Sequence, residues 1–175
     1  DFAAIDDLVY DRKDLPQIKA IANWIDTHCA EGEISYMIPH DMLYNPDHFK
    51  NCRLPEASIN DKLAFGFSVP GTHNFPMQFF EAKYVITCDP FPQTYAGSGE
   101  MSIKLNERFL SAKDDFTFEQ SFDMGNGTTF TIWRRTAAPT RAEVEYYLSA
   151  FTEEDAKYPE MFSEIAESWL AARGL

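Results

Sequence analysis

The sequence predicts an α/β fold: a mostly parallel, Rossmann-like central sheet, flanked by helices and extended by an antiparallel hairpin toward the C-terminus. Three short apolar runs, at 34–38, 63–67 and 84–88, are rich in β-branched and aromatic residues and end at polar or turn-forming residues. Segments with helical periodicity separate these runs. The 175 residues are enough for one well-filled core. We therefore expect a single α/β domain over residues 1–175.

The first helix is predicted to begin at Leu15-Pro16, with Asp14 as its N-cap and a proline in its first turn. Apolar residues then recur at helical spacing until Glu31-Gly32, where glycine ends the pattern. The face that carries them is expected to pack against the sheet.

Two shorter helical segments are predicted between the strands. Asp41 is expected to cap a segment that reaches toward Cys52, although Pro46 interrupts its helical pattern. A single helical turn is expected at 79–82, directly before the third strand.

The second half is predicted to begin with a helix at 100–112 and to continue as a β-hairpin. Segments 116–122 and 128–134 alternate between apolar and polar residues, which is typical of strands with one buried face. Between them, Gly125-Asn126-Gly127 favours a tight turn because glycine tolerates positive φ.

Two helices are predicted to close the chain. Thr140 is expected to cap the first, with Glu143 as its capping-box partner, and the helix should run to about Phe151. The second is an amphipathic segment at 162–172 that should end at Gly174.

Composition narrows the classes of function. The chain carries 28 acidic and 15 basic residues, for a net charge of −13. This balance argues against a general nucleic-acid surface and against electrostatic docking on anionic lipid, both of which need basic surface. No apolar run approaches the roughly 18–20 residues that span a bilayer. Because the chain begins at Asp1 rather than methionine, we expect it to be a soluble fragment of a longer protein.

The three cysteines are Cys29, Cys52 and Cys88, and no pair has CxxC spacing. An odd number without that spacing disfavours a disulfide framework or a zinc site. Buried, unreactive thiols are the simplest interpretation. A Cys29–Cys52 disulfide stays open as an alternative for a domain that faces an oxidising compartment.

Several segments together resemble a known kind of domain. They are Phe-Phe-x-Ala-x-Tyr-Val-Ile at 79–86, Asp89-Pro90, Ile-Trp-Arg-Arg-Thr at 132–136 and Tyr-Pro-Glu-Met-Phe at 158–162. In this order they are similar to the C-terminal extracytoplasmic domain of bacterial membrane glycosyltransferases of the protein O-mannosyltransferase type, and of related polytopic membrane proteins. The resemblance covers about residues 15–165.

This resemblance implies an α/β domain that follows a multi-helix membrane region and lies on the extracytoplasmic face of the cell membrane. The catalytic acidic residues of that family lie in loops of the membrane part, so none is carried over to this chain. The implied partners are the membrane-embedded part of the same polypeptide and a sugar or glycan. No cofactor and no nucleic-acid partner is expected.

Polar residues follow the ends of the three predicted strands, and parallel strands would bring those ends to one edge. Imidazoles and carboxylates gathered there could bind a divalent metal or transfer protons. Each residue also has a plainer role available, such as helix capping or turn formation. Because the edge has little fixed positive charge, a neutral sugar or a cation suits it better than a phosphate. The candidate ligand-binding residues are His40, Asp41, Thr72, His73, Asn74 and Asp89.

The remaining motifs give weaker indications of a catalytic or binding function. No Walker, GxGxxG or GxSxG pattern is present in the sequence. Gly97-Ser-Gly99 precedes a helix, but Glu100 in its first turn would repel an anion, so a plain loop is favoured. Arg134-Arg135 could bind an acidic group, although a solvated sheet edge is the simpler interpretation.

Three functional hypotheses remain open. The first is a non-catalytic accessory extracytoplasmic domain of a membrane protein, namely a glycosyltransferase that handles lipid-linked sugars. The second is a free-standing α/β enzyme or ligand-binding domain that uses the edge around His40, His73 and Asp89. The third is an interaction module with an acidic surface. The resemblance favours the first, and no catalytic or metal-binding residue is assigned.

Overall fold

The computed structural model describes residues 12–40, 43–54, 57–66, 76–92, 100–152 and 160–175. In chain order the elements are α1 (Leu15–His28), β1 (Ser35–Met37), α2 (Pro46–Asn51), β2 (Leu63–Phe65), α3 (Met77–Glu81), β3 (Tyr84–Asp89), α4 (Glu100–Ser111), β4 (Phe116–Asp123), β5 (Thr129–Arg135), α5 (Arg141–Thr152) and α6 (Glu160–Arg173). The predicted mixed α/β class is confirmed.

The strands form one five-stranded sheet in the order β2-β1-β3-β5-β4. Pairing is parallel between β1 and β2 and between β1 and β3. It is antiparallel between β3 and β5 and between β4 and β5. The sheet is therefore mixed, with its parallel pairs at one end and its antiparallel pairs at the other.

The sheet lies between two layers of helices. Because successive strand side chains point to opposite faces, each strand contributes residues to the clusters on both sides. Tyr36 and Val85, which are register partners, face a cluster formed with α3, α4, α5 and α6. Their neighbours Met37 and Ile86 face a second cluster formed with α1 and α2. With both faces covered, β1 and most of β3 are continuously buried, and this explains why they appear in the sequence as unbroken apolar runs.

Two predicted helix starts need correction. Asp14 occupies the N-cap position of α1, but its side chain makes no capping hydrogen bond there and is held instead by Arg12. Pro46 begins α2 rather than interrupting a longer helix, since Asn45 is the N-cap and accepts a hydrogen bond from the Asp47 amide at 2.9 Å. The expected cap, Asp41, lies outside the described residues.

The predicted capping box at α5 is half present. The Glu143 amide donates to the Thr140 hydroxyl at 3.2 Å, as expected for an N-cap. The Glu143 carboxylate, however, binds Arg135 through two hydrogen bonds of 2.8 and 3.0 Å. The cap therefore stabilises the helix start while the carboxylate joins α5 to the sheet.

The interpretation of Arg134-Arg135 as a solvated edge is wrong about the edge, and only Arg134 is exposed to solvent. Strand β5 lies between β3 and β4, so it is not an edge strand. The Arg134 side chain is 44% exposed and pairs with Glu119. The Arg135 side chain is only 8% exposed and lies over the Phe116 ring, 4.5 Å from its centroid. Alternating strand faces thus give two adjacent arginines opposite environments.

All three cysteines are free thiols, so the Cys29–Cys52 disulfide is not formed. Cys29 and Cys88 are buried, and Cys52 is partly exposed. In the part of the chain that the structure describes, none of the helices has the length and apolar character needed to cross a membrane.

Candidate functional site

The carboxyl ends of β1, β2 and β3 lie along one edge of the sheet because these three strands run parallel. His40 follows β1 and is partly buried, with its ring 5.6 Å from the ring of Phe65, the last residue of β2. Asp89 is the last residue of β3, is exposed, and is the register partner of Thr129 at the start of β5. The structure thus places two of the six candidate residues at this edge.

The other four candidates, Asp41, Thr72, His73 and Asn74, lie outside the described residues. Their convergence on the edge with His40 and Asp89 stays a prediction. Within the described ranges, no group of three or more His, Cys, Asp and Glu side chains is arranged to hold a metal ion.

A cleft of about 810 Å³ lies between α1 and α2, and neither His40 nor Asp89 lines it. This volume falls in the range of small-molecule sites, which is roughly 300–1,000 Å³. Its apolar wall includes Leu15 and Leu43, which are 38% and 42% exposed. The remaining lining residues are Arg12, Ile18, Asp47, His48, Asn51 and Cys52.

Arg12 closes the polar end of this cleft and joins three parts of the chain. Its Nε donates to Asp14 Oδ1 at 2.8 Å and its Nη2 to Asp14 Oδ2 at 3.2 Å. Its Nη1 lies 2.8 Å from His48 Nδ1, and its Nη2 also donates to the Leu43 carbonyl. Four of the five guanidinium N–H groups are therefore engaged within the protein. Arg12 thus positions the cleft wall rather than serving as a free anion receptor.

A chain of hydrogen bonds continues from Asp14 to the turn between β4 and β5. The buried Tyr44 hydroxyl donates to the Asp14 carboxylate and accepts from Asn126 Nδ2, 2.7 Å away. Burial raises the pKa of Tyr44, which keeps the phenol protonated. Although burial acts in the opposite direction, the hydrogen bond and charge of Arg12 hold the pKa of Asp14 below its ordinary value.

Sequence reasoning missed this cleft and its polar end. The pair Asn45-Pro46 carried a usable signal, because an Asn N-cap followed by proline at the first helical position is a standard helix start. The contact between Arg12 and His48 left no signal in the sequence, since 36 positions separate the two residues along the chain.

The Asp14→Asn substitution is expected to lower the free energy of unfolding at neutral pH by about 1–3 kcal/mol, since it removes a charge-assisted pair. A carboxyl whose folded pKa is lowered contributes stability above its unfolded pKa, and the contribution is lost as pH falls through the folded pKa. For Asp14 the loss should occur below the ordinary value of 3.8. Urea unfolding between neutral and strongly acidic pH measures it.

The matched control is Asp47→Asn, which changes an exposed carboxylate on the wall of the same cleft. It should alter stability by less than about 0.5 kcal/mol at any pH. The stability curves of wild type and Asp14→Asn should converge in acid. Parallel curves across the whole pH range would contradict the role given to Asp14.

Comparison with known proteins yields no match: no family model, no curated protein and no solved structure resembles this chain significantly.

Proposed function

We propose that this chain is a non-catalytic accessory domain on the extracytoplasmic face of a membrane protein, a glycosyltransferase of the O-mannosyltransferase type that handles lipid-linked sugars. The observation that supports the non-catalytic part is the direction of the pKa shifts. Every resolved shift among the described residues moves a pKa away from neutrality.

Each class of group shows this trend for a clear reason. Hydrogen bonds from lysines lower the pKa of the carboxyls of Asp26 and Glu33, as Arg12 does for Asp14. Burial raises the pKa of the thiols and phenols, and carboxylate partners raise the pKa of the lysines. The groups with raised pKa values are Cys29, Cys52, Tyr36, Tyr44, Tyr147, Lys62, Lys83 and Arg141.

General acid–base and nucleophilic catalysis work best when a pKa lies near the operating pH. Here the shifted carboxyls stay ionised and the shifted thiols and phenols stay protonated at neutral pH. Groups of this kind suit structural and partner-binding roles better than proton transfer near neutral pH. The pattern supports a binding or positioning role, which is what the resemblance in the sequence implies.

The purified chain is therefore expected to show no turnover with ester, phosphate-ester or glycoside substrates, with or without added divalent metal. Product formation measured against a heat-denatured sample is the readout. Robust turnover that His40→Ala abolishes would overturn the proposal and favour the enzyme hypothesis.

The accessory role is tested on the full gene product. We expect it to fractionate with membranes, and externally added protease should cleave within this domain in intact spheroplasts. Deleting residues 15–173 should abolish glycan transfer in cells without removing the membrane part. Protection from external protease, or unchanged transfer after the deletion, would contradict the proposal.

A second candidate function is ligand binding at the edge that holds His40 and Asp89, and the strand order favours it. Helix α2 follows β1 and packs on one face of the sheet, whereas α4 follows β3 and packs on the other. Where the connections that leave two neighbouring parallel strands go to opposite faces, a crevice forms between the carboxyl ends of those strands, here β1 and β3.

NMR shift mapping with neutral monosaccharides, Mg²⁺ and Ca²⁺ tests this site. Shifts are expected at His40, Asp89 and their neighbours, and His40→Ala should weaken binding. The matched control is His28→Ala at the end of α1, where the His28 carbonyl accepts a hydrogen bond from Tyr84 at the opposite end of β3. Shifts centred on Arg134 and Arg135, or equal effects of the two histidine variants, would rule the site out.

A further inference from the structure

The turn between β4 and β5 presents an Asn-Gly pair to solvent. Asn126 and Gly127 are both exposed, and Asn126 is the only asparagine in the sequence that is followed by glycine. Gly127 has φ +86°, and no atom of the described residues lies within 4 Å of the position that a Cβ would occupy there. The backbone nitrogen of Gly127 is therefore bordered by open space on the side where other residues carry a side chain.

The side chain of Asn126 is held in a fixed position by both of its polar atoms. Its Oδ1 accepts a hydrogen bond from the Thr128 amide at 3.1 Å, which folds the side chain back over the peptide that joins Asn126 to Gly127. Its Nδ2 donates to the Tyr44 hydroxyl. The first bond also polarises the side-chain carbonyl and makes its carbon more electrophilic.

From this geometry we propose that Asn126 is a site of spontaneous deamidation. The reaction releases the turn between β4 and β5 from Tyr44 and from Asp14 at the start of α1. The Gly127 backbone nitrogen forms a bond to Asn126 Cγ, and the Cγ–Nδ2 bond breaks. The proton of the attacking amide leaves with Nδ2 as ammonia, which gives a cyclic succinimide. Water then opens the ring at either carbonyl, leaving aspartate or isoaspartate, and no atom changes oxidation state.

The products cannot keep the hydrogen bond that position 126 donates to Tyr44, which leaves the Thr128 side chain as the turn's remaining hydrogen bond to the phenol. The phenol has one proton, which it donates to Asp14, and it accepts the hydrogen bond that Asn126 Nδ2 supplies. A carboxylate at position 126 has no proton to donate, so the phenol oxygen would lie between two negative groups that compete for the same proton. The turn would thereby be repelled from the start of α1, and isoaspartate would in addition lengthen the turn backbone.

The reaction is tested by ageing the folded chain in mildly alkaline buffer and mapping its peptides by mass spectrometry. We expect acid to accumulate at position 126, with both aspartate and isoaspartate present, while Asn23 and Asn60 stay intact. Those two asparagines are exposed but precede Trp24 and Asp61. The Asn126→Gln variant should show no conversion, because its ring closure needs a less favoured six-membered ring. An intact Asn126 in the folded chain, with conversion only in denaturant, would overturn the site assignment.

The structural consequence has a separate test. Asn126→Ala removes the hydrogen bond to Tyr44, whereas Asn126→Asp removes it and adds the charge. We expect Asn126→Asp to have the lower urea midpoint, and expect the difference to vanish in an Asp14→Asn background. Equal midpoints for the two variants in the wild-type background would contradict the proposed release of the turn.

Discussion

Replacing Arg135 with methionine is expected to lower the free energy of unfolding by about 3–5 kcal/mol, because it leaves the Glu143 carboxylate buried without its partner. The two side chains are 8% and 13% exposed, and two hydrogen bonds join them. A loss of this size is a large part of the roughly 5–15 kcal/mol that stabilises an ordinary domain. Urea unfolding monitored by circular dichroism measures it.

Two further variants separate the charge from the packing. Arg134→Met alters the neighbouring arginine, whose exposed pair with Glu119 should contribute no more than about 1 kcal/mol. Arg135→Met combined with Glu143→Leu should recover most of the stability lost in Arg135→Met, because no charge is then left buried alone. Equal losses for the two single arginine variants, or no recovery in the double variant, would show that the pair does not hold α5 against the sheet.

The sequence predicted the elements well where local chemistry decides them. Runs such as 84–88 stand out because a strand covered on both faces needs apolar residues at successive positions, and all five of these residues are buried in β3. The hairpin turn was visible because Gly125 and Gly127 adopt positive φ, which other residues avoid. What the sequence could not reveal is the strand order, since pairing joins segments that are far apart in the chain.

The partners of individual polar side chains were less predictable, because they too depend on contacts between separate parts of the chain. Asp14 had every local feature of a helix cap, yet its carboxylate binds Arg12 and Tyr44 instead. Arg135 was expected to be a solvated charge because its strand was interpreted as a sheet edge, whereas β5 lies between β3 and β4. Arg135 binds Glu143 of α5, and Asp14 binds Tyr44 of the segment before α2 as well as Arg12. A pattern can indicate that a side chain needs a partner, but it does not indicate where that partner lies.

The second large effect is expected from Phe79→Ala, which should lower the free energy of unfolding by about 3–5 kcal/mol. Phe79 is fully buried at the centre of the aromatic cluster beneath α5. Its ring centroid is 4.8 Å from that of Tyr147, 5.2 Å from Phe80 and 5.7 Å from Tyr36. Removing the ring takes away these contacts and leaves a cavity that rigid neighbouring rings cannot fill. Thermal and urea unfolding should both report the loss.

The matched control is Phe118→Ala, the same change at a ring that is 59% exposed on β4. It should cost less than about 1 kcal/mol, because little apolar area returns to water. Tyr147→Phe tests the part of the cluster that α5 contributes. Among the residues that the structure describes, the buried Tyr147 Oη has no hydrogen-bond partner, so removing it while keeping the ring should leave stability unchanged or raise it. If Phe79→Ala proves no more costly than Phe118→Ala, the aromatic cluster is not what joins α3 and α5.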